Sequence, residues 1–237
     1  MDGKMKTALV TGASQGLGKV ILGAFAARGY YVYATRCHGE IELPGPGEVV
    51  DCDLSRPADI VRAFSAIGRL DVLVNNARLD PSTRRADEDE AAWFDRNIAV
   101  SLRGSYLCAL EAFRIMSAQT PRGGAIVNVS SVRAIIPNDR ERIPYGMAKA
   151  GQISLTRSLA ALGGAKGIRV NAVLPGAVLT ENLMRRAGEE RLKEVNATIP
   201  LGRPGSMEEC AETVVFAAEQ TYMTGTCLNV SGGLLML

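Results

Sequence analysis

A short apolar run, Thr7-Ala8-Leu9-Val10, stops abruptly at Thr11-Gly12-Ala13-Ser14-Gln15-Gly16-Leu17-Gly18. Beyond the glycines, Val20, Ile21, Phe25 and Ala26 fall on one side of a helix that ends at Gly29. A strand, a glycine turn and a helix in direct succession leave few folds open, because the helix must pack back over the sheet that holds the strand. Such a turn can also approach a pyrophosphate closely, and the helix start offers N–H groups and the positive end of its dipole. The spacing is G-x-x-x-G-x-G rather than the common G-x-G-x-x-G. A tight strand–helix turn is the competing reading, and the strand directly ahead favours a nucleotide site at Gly12, Ser14, Gln15, Gly16, Leu17 and Gly18.

The same alternation continues along the chain. Apolar runs at Tyr31–Thr35, Glu48–Val50, Asp71–Val74, Ala125–Val129, Ile168–Val173 and Cys227–Val230 read as further strands. Helical periods follow at Ile60–Ile67, Ala91–Met116, Tyr145–Leu162 and Met207–Ala218. Pro44-Gly45-Pro46-Gly47 breaks any helix between the second and third strands, so that crossover is expected to be a loop. Neither a repeat nor a linker divides residues 1–237. The expected fold is α/β, a single-domain doubly wound parallel sheet of Rossmann type, with about seven strands and helices on both faces. A polar, partly helical excursion at about 180–204 is expected to form a substrate lid. In such sheets ligands sit outside the carboxyl ends of the strands, where Gly12, Arg36, Asp53, Asn75, Ser131 and Pro175 all fall.

Composition narrows the chemistry. With 47% apolar residues in 237, the chain can bury a large core, and a net charge of +2 without long runs of one sign gives no support to nucleic-acid or membrane-surface binding. Five cysteines without a C-x-x-C pair read as reduced residues of an intracellular, cytoplasmic protein. His38 is the only histidine, which argues against a histidine zinc site and a Ser/His/Asp triad; no metal is expected. Met1 to Lys6 lacks the apolar stretch of a signal peptide, and no run is long enough to span a bilayer.

Tyr145 and Lys149 stand four apart, on one face of the expected helix. A free tyrosine has a pKa of roughly 10, and a nearby ammonium favours its phenolate, drawing it toward the working range of an acid or base. A hydroxyl from Ser130-Ser131 could hold a carbonyl or alcohol oxygen beside the phenol. Arg36, directly after the second strand, suits the 2′-phosphate of NADP, whereas an acid there would suit the ribose of NAD. Asp53, at a strand's carboxyl end, could bond an adenine amino group.

Taken together, T-G-A-S-Q-G-L-G (Thr11 to Gly18), Asp53-Leu54, N-N-A (Asn75 to Ala77), N-V-S-S (Asn128 to Ser131), Y-G-M-A-K (Tyr145 to Lys149) and R-V-N-A-V-L-P-G (Arg169 to Gly176) resemble the short-chain dehydrogenase/reductase family over nearly the whole chain. I-P-L-G-R-P (Ile199 to Pro204) and the late T-G-T-C-L-N-V-S-G-G look like its 3-oxoacyl-reductase branch. The resemblance implies that Tyr145 is the acid/base, that Lys149 lowers its pKa and holds the nicotinamide ribose, and that Ser131 positions the substrate oxygen. It further implies that Gly12, Gly16 and Gly18 line the pyrophosphate, that Asp53 with Leu54 lies at the adenine, and that Asn75 and Ala77 lie on the adenosine side. Pro175, Gly176, Val178 and Thr180 would wrap the nicotinamide amide. A homo-oligomer, tetramer or dimer, is implied as well, and the apolar tail Leu234–Leu237 offers surface a monomer should not expose.

The sequence departs from the family at several places. The family's fourth catalytic residue, an asparagine, aligns with Ser101, while Asn97 lies four positions earlier. Ser101 either holds a relay water less well or leaves Lys149 to solvent. Arg78 replaces the glycine that usually completes N-N-A-G, Arg133-Ala134 departs from a small, glycine-ended stretch, and Ser231 stands in place of an aspartate. Ser131 and Tyr145 are fourteen apart, one more than usual. The expected activity is NADP(H)-dependent reduction of a ketone or 3-oxo group on a small-molecule substrate, with NAD(H) as a possible cofactor. An NAD-linked secondary-alcohol dehydrogenase and a non-catalytic NADP-binding sensor or scaffold stand as alternatives. Arg78, Arg133, Arg185 and Arg186 would either surround the substrate mouth or form solvated charge on the lid.

Overall fold

The computed structural model describes residues 5–80, 83–180 and 188–236. Seven strands form one sheet in the order β3-β2-β1-β4-β5-β6-β7. They are β1 (Thr7–Val10), β2 (Tyr31–Arg36), β3 (Gly47–Asp51), β4 (Val72–Asn75), β5 (Gly124–Val129), β6 (Ile168–Pro175) and β7 (Cys227–Val230). Every neighbouring pair is parallel. The chain starts in the middle, winds outward to β3, then returns beside β1 and winds the other way to β7. The reversal between β1 and β4 opens the crevice that such sheets use for ligands.

Period-two alternation explains how both faces are covered. Ala8 and Val10 of β1 point to one side, where Ile21, Leu22 and Phe25 of α1 (Gly16–Ala27) meet Val214 and Val215 of α7 (Met207–Glu219). Leu9 points to the other, joining Leu73, Ile126 and Ile60, Phe64, Met116 and Leu159 from α2 (Pro57–Ser65), α4 (Ser105–Ala118) and α5 (Ile143–Gly163). Each fully buried Ile, Leu or Phe contributes about 1.5–3 kcal/mol relative to exposure. α7 begins on a capping box: Ser206 Oγ accepts from Glu209 N, and the Glu209 carboxylate returns to Ser206 N. Its hydrogen bonds from Arg203 and Ser206 hold the Glu209 carboxyl at about 2.

The β2–β3 crossover is a loop, as Pro44 to Gly47 suggested. Ile41 and Leu43 pack against the first cluster where a helix would otherwise lie, and Pro46 O accepts from Val32 N at 3.0 Å. A Cβ at Gly47 would overlap Val32 O, so glycine admits this tight approach.

The long helix expected over Ala91–Met116 is instead three segments: α3 (Glu90–Asn97), a π turn over Ile98–Gly104, and α4. A Cβ on Gly104 would come within 2.9 Å of Leu54 O, and one on Gly151 of α5 within 2.7 Å of Leu102 Cδ1. Small residues thus bring β3's exit and α5 tightly against the π turn. The excursion at 180–204 is partly described: α6 (Glu189–Ala197) is helical, and 181–187 lie outside the described residues. The C-terminal tail corrects the expectation of an exposed apolar patch. Leu235 is buried with Val132, Ile153, Ala172 and Leu174, Leu234 packs against them, and Met236 is exposed; Leu237 lies outside the described residues.

Candidate active site

Parallel strands place all carboxyl ends on one edge, and the residue pairs Arg36↔Asp51, Asn75↔Asn128, Val129↔Val173 and Pro175↔Val230 mark it. The glycine loop is tied down there. Gly12 and Gly16 adopt positive φ, +65° and +54°, and Gly12 N donates to Thr35 Oγ1 at 3.1 Å. Thr11 Oγ1 accepts from the backbone nitrogens of Asn76 and Ala77 at 3.0 and 3.1 Å, and Asn76 Nδ2 donates to the carbonyls of Thr11 and Gly12. A Cβ at Gly18 would overlap Gly12 O and reach within 2.5 Å of Asn76 Nδ2. At the start of α1, Gln15 makes no side-chain cap and no acidic residue occupies the first turn. The N–H groups and dipole there therefore suit an anion, with Ser14 and Leu17 beside them.

Arg36 carries a partner that sequence reasoning missed. Its Nε donates to Asp51 Oδ1 at 2.7 Å across the β2–β3 register. The pair raises the arginine's pKa and lowers the aspartate's, chiefly through that hydrogen bond. Asp53 caps a turn: Oδ1 accepts from Ser55 N and Oγ, and Arg56 lies 3.4 Å from Oδ2. Leu54 is buried in the second cluster. His38 is exposed beside Cys37, 3.3 Å from its sulfur. Asn75 is fully buried, its Nδ2 donating to Ser105 O and Asn128 Oδ1, so its side chain faces inward rather than toward the crevice. Asn128 passes the chain of bonds to Thr156 on α5.

Ser131, Tyr145 and Lys149 converge at the end of β5. Ser131 Oγ accepts from Arg133 N at 3.1 Å, which turns the hydroxyl over the start of the next loop. Neighbouring Ser130 Oγ donates to Lys149 O and fastens α5 to the strand. Lys149 is 1% exposed; its Nζ donates to Val129 O at 2.6 Å and Gln152 Oε1 at 3.1 Å. The same nitrogen lies 5.6 Å from the Tyr145 ring centroid. Burial, and secondarily the charge of Arg78, bring the Lys149 ammonium down to about 7. The charged turn Asp139–Arg142 lies between Ser131 and Tyr145, capped by Asp139 and braced by Trp93 Nε1 donating to Glu141 O.

Ser101 meets this group differently from expectation. Its hydroxyl accepts from Leu79 N at 3.1 Å, while its carbonyl accepts from Gln152 Nε2 at 3.0 Å. Lys149 is thus closed off by Gln152 rather than left to solvent. Asn97 turns back on its own helix, with Nδ2 on Trp93 O. Ser231, buried, accepts from Leu235 N and fixes the C-terminal turn, a structural role. Arg78 pairs with Asp80 at 3.2 Å, and Arg133 Nη1 is spent on Pro137 O; Arg185 and Arg186 lie outside the described residues. Beyond Pro175, Gly176 N donates to Val230 O, Val178 bridges to Gly205, and the described stretch runs to Thr180. Gln152 could have been read from the sequence, since it lies three residues after Lys149 on the same helical face. Asp51 carries no such signal without the register.

The donor set fits a dinucleotide: an uncapped helix start, a glycine turn too close for side chains, a guanidinium at the end of β2 and a buried ammonium beside a phenol. Among the described residues, no group of three or more His, Cys, Asp or Glu is placed to hold a metal. A family model described as Enoyl-(Acyl carrier protein) reductase matches residues 12–235. The 3-oxoacyl-(acyl-carrier-protein) reductase FabG of Staphylococcus aureus is 37% identical, the match covering 98% of both chains. An uncharacterized short-chain type dehydrogenase/reductase, y4vI of Sinorhizobium fredii, is 35% identical over 95% of this chain, which spans 43% of that relative's length. Among solved structures, ElxO with NADP bound superposes with a TM-score of 0.87 at 28% identity, covering 98% of this chain and 99% of its own.

Proposed function

The chain belongs to the short-chain dehydrogenase/reductase family of NAD(P)-dependent oxidoreductases, and on that footing we propose that it uses NADPH to reduce a ketone or 3-oxo group to a secondary alcohol. The observation that carries this reading is the buried Lys149 ammonium 5.6 Å from the Tyr145 ring, with Ser131 at the adjoining strand end. Burying a cation is costly, and the hydrogen bonds from Lys149 Nζ to Val129 O and Gln152 Oε1 offset part of that cost. Here the ammonium favours the phenolate that Tyr145 leaves on giving up its proton.

The bound nicotinamide supplies the hydride. Gly12, Ser14, Gln15, Gly16, Leu17 and Gly18 would hold the pyrophosphate and Arg36 the 2′-phosphate; Asp53 and Leu54 would lie at the adenine, and Asn75 and Ala77 on the adenosine side. Pro175, Gly176, Val178 and Thr180 border the nicotinamide amide. The Ser131 hydroxyl donates to the substrate oxygen, and the Tyr145 hydroxyl protonates that oxygen as negative charge develops on it. Lys149 holds the ribose and balances the phenolate. Arg78, close enough for its charge to act on Lys149, favours a substrate carrying an anionic group.

One observation supports a second reading, an NAD-linked secondary-alcohol dehydrogenase: Asp51, already paired with Arg36, could instead accept from ribose hydroxyls. We further propose one domain with a lid at about 180–204, a cytoplasmic location, and a homo-oligomer, tetramer or dimer. Exposed Tyr106 and Leu110 on α4 and Met147 and Leu162 on α5 support the last. No helix among the described residues is long and apolar enough to cross a membrane. The test is NADPH and NADH oxidation over ketones, 3-oxoacyl thioesters and quinones. Turnover that NADPH supports and Tyr145→Phe abolishes is expected; cofactor binding without turnover on any of them would favour the sensor instead.

A further inference from the structure

Gln152 is 0% exposed, lies three residues beyond Lys149 on α5, and spends its whole amide. Oε1 accepts from Lys149 Nζ at 3.1 Å, while Nε2 donates to Ser101 O at 3.0 Å and to Ser105 Oγ at 2.8 Å. An amide nitrogen has two hydrogens to give, and both are used. Ser101 O also accepts from Ser105 Oγ at 3.1 Å. The wider π turn over Ile98–Gly104 presents that carbonyl to a side chain of the neighbouring helix. Gly151 lets the two helices approach closely enough for the amide to reach.

Packing alone does not ask for glutamine here. A hydrocarbon side chain would fill this place between two helices without needing three partners, and a buried amide left unmatched is destabilising. What the glutamine adds is an oxygen aimed at a buried ammonium and a rigid anchor behind it. It does so without offering a proton path, because a primary amide neither gains nor loses a proton near neutral pH.

We infer that Gln152 is a positioning residue for the reaction proposed above: its amide, anchored on Ser101 and Ser105, fixes the Lys149 ammonium beside Tyr145 and seals it from solvent on the π-turn side. It rests on that reading for what Lys149 is positioned to do, and on the geometry alone for the bond itself. Protons that replenish Tyr145 therefore pass on the crevice side. The titratable groups that face Lys149 are Tyr145 on its own helix and Arg78 after β4. β5 presents the Val129 carbonyl, and the π turn and α4 present Ser101 and Ser105 through Gln152, none of which titrates near neutrality. Removing the acceptor at Gln152 therefore disfavours the ammonium, and replacing it with a carboxylate favours it.

The test is a ¹³C NMR titration of the cofactor-free chain labelled at lysine Cε, with Lys149→Met to assign the resonance. In the wild type the Lys149 midpoint is expected near 7, against 10.5 for an ordinary lysine. Gln152→Met, close to glutamine in volume, should lower that midpoint by about one pH unit, and Gln152→Glu should raise it by about as much. In turnover assays the alkaline limb of kcat/KM should move in the same two directions, with kcat of Gln152→Met reduced about tenfold and KM altered less than about twofold. Midpoints in both variants within about 0.3 of wild type would overturn the inference, as would an ordinary lysine midpoint in the wild type. Should Gln152→Met fail to fold, the upward shift in Gln152→Glu decides alone. A chain that shows the expected shifts but reduces no carbonyl would leave the bond standing and sink the proposed activity.

Discussion

The ammonium of Lys149 donates to the carbonyl oxygen of Val129 at 2.6 Å, in a site where the lysine is 1% exposed. That bond ties the helix carrying Tyr145 to the strand carrying Ser131, and it places a cation where water cannot solvate it. Burial lowers the lysine from 10.5 to about 7, so between those values the unfolded chain binds a proton that the folded chain does not. Stability from this group consequently rises with pH across that window. Chemical denaturation of the cofactor-free protein should show wild type gaining about 2 kcal/mol relative to Lys149→Met between about pH 7 and pH 9. Parallel pH profiles for the two proteins would contradict the lowered pKa of Lys149.

Arg78 lowers the same lysine through its charge. Arg78→Gly should therefore raise the Lys149 midpoint and carry the alkaline limb of kcat/KM to higher pH. It should also raise KM for anionic substrates about tenfold while changing neutral ones little. Steady-state profiles on a charged and an uncharged ketone distinguish the two effects; an unchanged limb would show that Arg78 turns away from the site.

Gly18 has no room for a side chain, since a Cβ would strike Gly12 O and Asn76 Nδ2. Gly18→Ala is expected to cost about 1–3 kcal/mol of stability through overpacking. By prying the glycine loop from Asn76, it should also weaken NADPH binding at least about tenfold, measured by calorimetry. Wild-type affinity in a folded Gly18→Ala protein would refute the cradle.

The contrast between these residues shows where the sequence was legible. Short apolar runs located all seven strands; the central ones, β1, β4, β5 and β6, are buried on both faces and therefore almost continuously apolar. The break at Pro44 to Gly47 foretold the loop crossover, since proline and glycine exclude a helix whatever the surroundings. The π turn was invisible: Ile98 to Gly104 keeps a helical apolar period, and the close approaches of Gly104 to Leu54 and of Leu102 to Gly151 that accompany it are tertiary contacts. For the same reason the hydrogen bond from Gln152 to the Ser101 carbonyl carried no signal in the sequence. Asn75, at a strand end, gives its amide nitrogen to Ser105 and Asn128, a pairing across the sheet that strand position alone does not reveal. The placement of Tyr145 and Lys149 on one helix and of Ser131 just beyond a strand was legible because helix spacing and strand ends are local properties.

At the adenosine end, Arg36 and Asp51 share one hydrogen bond at 2.7 Å, on Nε of the arginine. If that arrangement holds the guanidinium ready for a 2′-phosphate, Arg36→Ala should raise the NADPH Kd about tenfold and leave NADH within about twofold. Asp51→Asn should weaken NADPH less than Arg36→Ala does. A loss of NADH affinity in Asp51→Asn would favour the NAD-linked reading.

The most direct test of the central claim follows the hydride itself. The wild-type protein is given NADPH deuterated at the transferable position of the nicotinamide, together with the carbonyl panel, and the products are weighed by mass spectrometry. The expected result is a secondary alcohol carrying one deuterium at the former carbonyl carbon, with none formed by Tyr145→Phe. Alcohol formed at equal rate by Tyr145→Phe would contradict Tyr145 as the acid, and deuterium absent from the product would contradict hydride transfer from the nicotinamide to a carbonyl carbon.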